Sequence, residues 1–206
     1  MKKTLSIEDF KTMWRTALAD IKAREDEFSQ LDAVIGDGDH GPAIVQALTS
    51  VVGAAERGTE FKSMLGDMAM DVMLQTSGST STLIGGLLLG MSDHSAGDVL
   101  DASGYKALMA GGLEGVKKQT KAMPGDKTMM DALDPAVKAI EACESEDIAE
   151  IAQAGAEAAL AGAKATVEMK ANFGRARNYG EKSIGYADSG ATSWACMFSA
   201  FAKALN

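Results

Sequence analysis

The sequence predicts an all-α chain of about eight helices joined by short connections and a few richer loops. Apolar residues recur at spacings of three and four through most of the 206 residues, the signature of helices that bury one face. Convincing period-two alternation is missing and β-branched clusters are few, which removes the usual strand signal. Only three prolines occur, and nothing resembles a linker; a chain of this length can be one large domain or two small ones. A chain of this length can bury a substantial core without disulfide or metal staples.

Taken in order, the first helix runs from Ser6 to about Gln30, with Phe10, Met13, Trp14, Ala17, Leu18 and Ile21 on one stripe. Ser6 with Asp9 forms a capping box in which Asp replaces the usual Glu or Gln. Pro42 suits the first turn of a helix that continues from Ala43 to Ala55, carrying Ile44, Val45, Ala47, Leu48, Val51 and Val52. Phe61 to Leu74 is the next, with Met64, Leu65, Met68, Val72 and Met73. Leu83 to Met91 is nearly all apolar and glycine-rich, as in a buried helix whose neighbours approach closely. Helices over Ser103–Val116, Thr128–Ala142 and the alanine-rich Asp147–Met169 follow, and the last runs from Ala191 to Leu205 behind the N-cap types Asp188 and Ser189.

Composition excludes several classes of function. A net charge of -9 argues against nucleic-acid binding, which rests on clustered Lys and Arg. Cys143 and Cys196 make no C-x-x-C pair and imply neither a disulfide framework nor a thiolate metal site. Lys2 and Lys3 are followed by no apolar leader core, and no run of about 18 apolar residues appears; a cytoplasmic protein without membrane contact is expected. The thirteen methionines fall mostly at helical spacings and read as core filler.

The stretch Val34-Ile35-Gly36-Asp37-Gly38-Asp39-His40-Gly41-Pro42 matches the dinucleotide pattern G-x-G-x-x-G. A glycine loop that seats pyrophosphate on bare N–H groups would be poisoned by two aspartates, and what precedes it is helical rather than a strand, so that reading fails. Asp32, Asp37 and Asp39 instead place three carboxylates within eight residues, the oxygen donors that hard divalent cations prefer. With Asp37 as position 1 of a calcium loop, positions 5 and 12 are Gly41 and Leu48, where ligands are needed, so an EF-hand is excluded. Magnesium held by a few carboxylates and completed by phosphate and water fits. His40 reads either as a hydrogen-bond donor to phosphate or as a helix-cap histidine, and His94 receives no role.

Three further loops bear on the site. Thr76 to Ser81 supplies hydroxyls and N–H groups ahead of a buried helix, a general anion seat. Met123-Pro124-Gly125-Asp126-Lys127-Thr128-Met129-Met130 contains G-D-K-T but is not a Walker A loop, and reads as a turn followed by an N-cap. Asn172 to Lys182 gathers Arg175, Arg177 and Lys182 among glycines, the available neutralisers of phosphate in an acidic chain.

In sequence order, D-x-x-x-x-G-D-G-D-H-G, the S-G-S-T-S loop, P-G-D-K-T-M and G-R-A-R-x-Y-G-E-K-S-I-G-x-x-D-S-G-A-T-S resemble the nucleotide-binding L subunit of dihydroxyacetone kinase or its fused C-terminal equivalent. The resemblance covers nearly the whole chain and implies a single nucleotide-binding domain over residues 1–206. It implies a barrel of eight antiparallel helices with ADP or ATP held in loops at one end. Asp32, Asp37 and Asp39 would hold two Mg²⁺ bridging the phosphates. His40, Gly41, Ser79, Thr80 and Arg175 would contact phosphate, while Met129 and the Asp188-Ser189-Gly190 loop would border the nucleoside. ADP brings about three negative charges and the aspartates three more, so two Mg²⁺ leave a deficit of about two for Arg and other donors. A separate K subunit that binds dihydroxyacetone is implied as partner, and in one branch of the family a phosphotransferase-system M subunit as donor; a homodimer stays open. No catalytic side chain is required of this chain, because phosphoryl transfer rests on positioning and cationic stabilisation. A sister kinase for a tetrulose, and a purely regulatory nucleotide-binding module, are the alternatives.

Overall fold

The computed structural model describes residues 1–206 and contains nine α-helices: α1 Ile7–Ala23, α2 Glu25–Ile35, α3 His40–Ala55, α4 Phe61–Gln75, α5 Ser79–His94, α6 Ala102–Gln119, α7 Met130–Ala142, α8 Ile148–Ala165 and α9 Ser189–Leu205. Packing runs α1 to α3, α3 to α4 and onward to α9, which closes back on α1. Eight helices therefore form a ring, the expected barrel, and α2 lies outside it against α3 and α9. No helix is long and apolar enough to cross a membrane.

The predicted first helix is in fact two. The Ser6 capping box forms as expected, with Ser6 Oγ accepting from Asp9 N and the Asp9 carboxylate accepting from Ser6 N. Helix α1 stops at Arg24, whose backbone leaves the helical region (φ -119, ψ 16). The run Lys22 to Glu27 offers Ala23 as its one apolar residue, so no core face carries the helix across it. Glu25, Asp26 and Glu27 then occupy the first turn of α2, where the helix dipole favours anions. Helix α2 continues to Ile35, so Asp32 stands on its last turn rather than in a loop.

Two strands that periodicity did not reveal, β1 Thr4–Ser6 and β2 Val99–Asp101, pair antiparallel, with Leu5 opposite Leu100. Three residues each are too few for alternation to be read. They close the end of the barrel that also carries the Lys2–Asp147 and Phe61–Asp98 hydrogen bonds. The connections at that end are α3–α4, α5–α6 and α7–α8. Of the four intervening connections, α2–α3, α6–α7 and α8–α9 line one cleft, and the α4–α5 connection delivers the first turn of α5 to it; alternation of ends means that neighbouring staves run antiparallel.

Inside the ring, aromatic rings meet edge to face: Phe10 with Phe61 (centroids 5.4 Å apart) and Trp14 with Phe201 (5.0 Å). Helices α5 and α6 touch backbone to backbone. A Cβ on Gly90 would lie 2.0 Å from the Gly111 carbonyl oxygen, and one on Gly115 equally close to that of Gly86. Cys196 is buried, Cys143 partly so, and both are free thiols.

Candidate functional site: an acidic cluster in a cleft at one end of the barrel

The four connections enclose a cavity of about 260 Å³. Asp32, Asp39, His40, Ser79, Thr80, Met129, Arg175, Asp188, Ser189 and Gly190 line it, so ten residues expected from sequence converge although they are spread over the whole chain. Asp37 stands beside them: Asp32, Asp37 and Asp39 each place an oxygen within 4.8 Å of the other two.

Local geometry explains the glycines of this loop. Gly38 adopts φ +79, a left-handed conformation that favours glycine. This turn brings Gly38 N back to Asp32 Oδ2 (2.8 Å), which ties the helical aspartate to the loop that bears the other two. Gly41 is buried and does not line the cleft; a Cβ there would lie 2.2 Å from Ser29 Oγ and 2.3 Å from Glu25 O, so glycine at this position also lets α2 and α3 meet.

Arg175 forms ion pairs with Asp37 and, at 3.6 Å, with Asp39. One guanidinium leaves three clustered carboxylates under-neutralised, and only oxygen donors are present, so the set suits a hard divalent cation. Opposite, α5 begins at Ser79 behind Gly78 (φ 98), with no side chain capping its end. Its first-turn N–H groups have no intrahelical acceptor and form, with the Ser79 and Thr80 hydroxyls, an anion seat. Cation and anion seats therefore face one cleft.

His40 opens α3 and its Nε2 lies 2.8 Å from Ser193 Oγ, which also lies 3.0 Å from the Gly190 carbonyl. The hydroxyl has one proton: given to Gly190 O, it makes Nε2–H the donor and Nδ1 an acceptor; given to Nε2, it leaves Nδ1–H as a donor for a ligand. Burial lowers the His40 pKa, opposed by the charges of Asp32 and Asp39. Ser189, expected beside the nucleoside, donates instead to Asp32 Oδ1 (3.2 Å) and so belongs to the acidic side. Met129 and Gly190 meet on the other wall: a Cβ on Gly190 would lie 3.6 Å from that of Met129.

Asp188 caps α9 by accepting from Ala191 N at 2.7 Å. Its pKa is raised to about 7, first by burial and then by the charges of Asp131 and Asp32, against the Ala191 bond and Lys127. Between about pH 4 and about pH 7 the folded chain therefore keeps a proton that the unfolded chain has lost, and this group subtracts stability as pH rises through that window. Asp188→Asn, which keeps the cap acceptor, should flatten that part of the profile; urea midpoints of the ligand-free chain at pH 5 and pH 7.5 check it, and an unchanged slope contradicts the assignment.

Three residues escaped sequence reading. Ser193 looks like any hydroxyl of a terminal helix. Asp131 is buried and accepts from Gly125 N and, at 2.8 Å, from Thr128 N; the T-x-x-D spacing was its only signal. Lys127, placed in a turn, is 1% exposed, and nothing in G-D-K-T distinguishes it from a solvated lysine.

A family model described as the DAK2 domain matches residues 34–203. The chain is 34% identical over 174 residues to the ADP-binding subunit DhaL of the PEP-dependent dihydroxyacetone kinase 1 of Listeria innocua, covering 84% of this chain and 83% of that protein. To the corresponding subunit DhaL of Escherichia coli it is 31% identical over 199 residues, 93% of this chain and 94% of the other. It is also 34% identical over 187 residues to the D-erythrulose kinase of Mycolicibacterium smegmatis, of whose length it spans 32%. The crystal structure of the dihydroxyacetone kinase from C. freundii in complex with AMP-PNP and Mg²⁺ shares the fold with a TM-score of 0.74 at 23% identity, over 98% of this chain and 35% of that one. On sequence over most of its length and on fold, this chain belongs to the DAK2 domain family.

Proposed function

We propose that the chain is a single-domain, nucleotide-binding phosphoryl-transfer subunit of a dihydroxyacetone kinase, holding ADP or ATP through two Mg²⁺ and acting on dihydroxyacetone carried by a separate K subunit. The observation that supports this best is the single cleft in which Asp32, Asp37 and Asp39 face Arg175 and the uncapped first turn of α5. Relatives named as ADP-binding subunits of PEP-dependent kinases share its length, which favours a phosphotransferase-system M subunit as donor and a cytoplasmic setting.

The division of work follows from the side chains. Asp32, Asp37 and Asp39 would hold Mg²⁺, which when bound offsets phosphate charge. Ser79, Thr80 and the α5 N–H groups would receive phosphate oxygens, and Arg175, paired with Asp37 and Asp39 in the ligand-free chain, would be the side-chain cation beside them. In the tautomer in which Ser193 Oγ donates to Nε2, His40 Nδ1–H is the donor offered to a phosphate oxygen. Met129 and Gly190 offer an apolar wall to the base. No group here needs to act as nucleophile or general base, because the acceptor hydroxyl arrives on another protein.

The rim suits such a partner. Val34, Leu74, Met123, Tyr179, Ile184 and Tyr186 are exposed hydrophobic residues close in sequence to cleft-lining ones, apolar surface of the kind a partner subunit covers. A tetrulose kinase is the second reading, favoured by the D- and L-erythrulose kinases among the relatives.

The test is the nucleotide and magnesium content of the extensively dialysed chain, followed by phosphorylation of dihydroxyacetone and erythrulose with the K partner supplied. Near-stoichiometric ADP with about two Mg²⁺ is expected for the retained-cofactor form, and reversible Mg-ATP binding for the exchanging one. A chain that binds no nucleotide with Mg²⁺ present overturns the proposal.

A further inference from the structure

The loop between α6 and α7 and the long connection between α8 and α9 form two walls of the cleft, and one ammonium joins them. Lys127 Nζ lies within hydrogen-bond distance of the carbonyls of Thr166 (2.8 Å), Met169 (3.1 Å), Ser183 (2.7 Å) and Tyr186 (2.6 Å), so its three N–H donors are shared among four acceptors. All four belong to the α8–α9 connection, while Lys127 itself directly precedes Thr128 and Met129. Its backbone sits at φ 59, the one non-glycine residue of the chain at positive φ. Such a conformation persists only where the surroundings impose it.

The α8–α9 connection has few apolar anchors. From Lys170 to Tyr186 only Ala171 and Ser183 are buried, and Phe173 packs partly buried against the core. Its other ties are polar: Ala171 N to Ser183 Oγ, Asn172 N and Nδ2 to Asp126 O and Oδ1, Gly185 N to Val167 O, Asp188 N to Thr166 Oγ1, and Arg175 to Asp37 and Asp39. Yet it carries Arg175, the cation facing the aspartates, and leads directly into the Asp188–Gly190 turn. Four carbonyls turned inward require a donor, and a tetrahedral ammonium can supply several at once where an apolar side chain supplies none. Burial lowers the Lys127 pKa, while Asp188, Asp131 and Glu168 pull it back up.

We propose that Lys127 is a positioning residue of the nucleotide cleft: its buried ammonium locks the α8–α9 connection to the Met129 loop and so sets where Arg175 and the Asp188–Gly190 turn stand relative to the phosphate seat. This rests on the nucleotide-binding reading above. Lys127 touches no ligand in this role; it acts through the walls it holds together.

The experiment compares wild type, Lys127→Met and Ser183→Ala by calorimetric titration with Mg-ADP and by hydrogen exchange. Ser183→Ala keeps side-chain shape but removes the hydroxyl that Ala171 N and Gly180 O use, loosening the same connection without touching Lys127. Both variants are expected to weaken Mg-ADP binding by about 10- to 100-fold, as small misplacements of binding groups do. Amide exchange should rise within residues 170–186 and stay at wild-type rates in α1 and α9, with saturating Mg-ADP restoring protection. A lysine that merely stabilised the fold would raise exchange throughout and leave the affinity of the folded protein unchanged, which overturns the proposal. Should Lys127→Met fail to fold, Ser183→Ala decides alone, with undiminished affinity as the contrary result. Wild type that binds no Mg-ADP overturns the functional reading together with this one; wild type that binds while both variants bind equally well overturns only this one.

Discussion

Asp37→Asn is expected to abolish retention of Mg-nucleotide, by more than about 100-fold in affinity, while helical content and the thermal midpoint of the ligand-free chain stay near wild type. The two halves of this expectation have different sources. Asp37 makes no backbone hydrogen bond; its one side-chain partner is Arg175, and the side chain is partly solvent-exposed. An exposed ion pair contributes little to stability, so its loss leaves the barrel intact. A carboxamide, by contrast, offers a neutral and weaker oxygen to a hard cation, and the repulsion between phosphate and the remaining Asp32 and Asp39 is then uncompensated. Asp32 would be a poorer probe, since it also accepts from Gly38 N and Ser189, and Asp32→Asn mixes a metal effect with a loop effect. Calorimetry with Mg-ADP and metal content by atomic absorption measure the first half, circular dichroism the second. Wild-type affinity in Asp37→Asn would show that the aspartate serves only the turn.

What could be read from the sequence, and what could not, divides along physical lines. The staves of the barrel were legible because each buries a wide apolar stripe whose period survives any details of packing: α3, α4 and α9 lie within a few residues of their expected bounds. The acidic cluster was legible because its members are close in sequence, so local geometry alone brings Asp32, Asp37 and Asp39 together. Arg175 and the Ser79–Thr80 pair were read as phosphate-binding groups from residue type and their individual contacts from the family resemblance; that they share one cleft with the aspartates is seen in the fold. The break at Arg24 was missed because a charged run on a helical stripe looks the same whether the helix continues or restarts. The packing of Gly41 against Ser29 was not legible, because glycine records only that space is short, not what fills it. Lys127 was invisible for the reverse reason: its four acceptors are backbone carbonyls from Thr166 to Tyr186, and no side-chain pattern announces a carbonyl. Ser193 similarly acts across 153 positions on His40.

Gly90→Ala is expected to destabilise the ligand-free chain by several kcal/mol, although alanine is the better helix former by about 1 kcal/mol. The sign is decided by distance. The new Cβ would lie 2.0 Å from the Gly111 carbonyl oxygen and 2.9 Å from Gly115 Cα, and both obstacles are backbone, which no rotamer change can clear. Helices α5 and α6 must therefore separate, and in a closed ring a stave that leaves one neighbour presses on the other, here α4. The same displacement carries the first turn of α5, with Ser79 and Thr80, away from the acidic cluster, so Mg-ADP affinity should fall along with stability. Gly53→Ala on α3 supplies the contrast: nothing lies within 4 Å of its Cβ position, and there the helix-propensity gain stands alone. Thermal unfolding should show a midpoint lowered by more than about 5 °C for Gly90→Ala and raised by about 2 °C for Gly53→Ala, using the conversion for a chain of this size. If both alanines stabilise, the α5–α6 contact is looser than its glycines indicate, and propensity rather than close approach governs that seam.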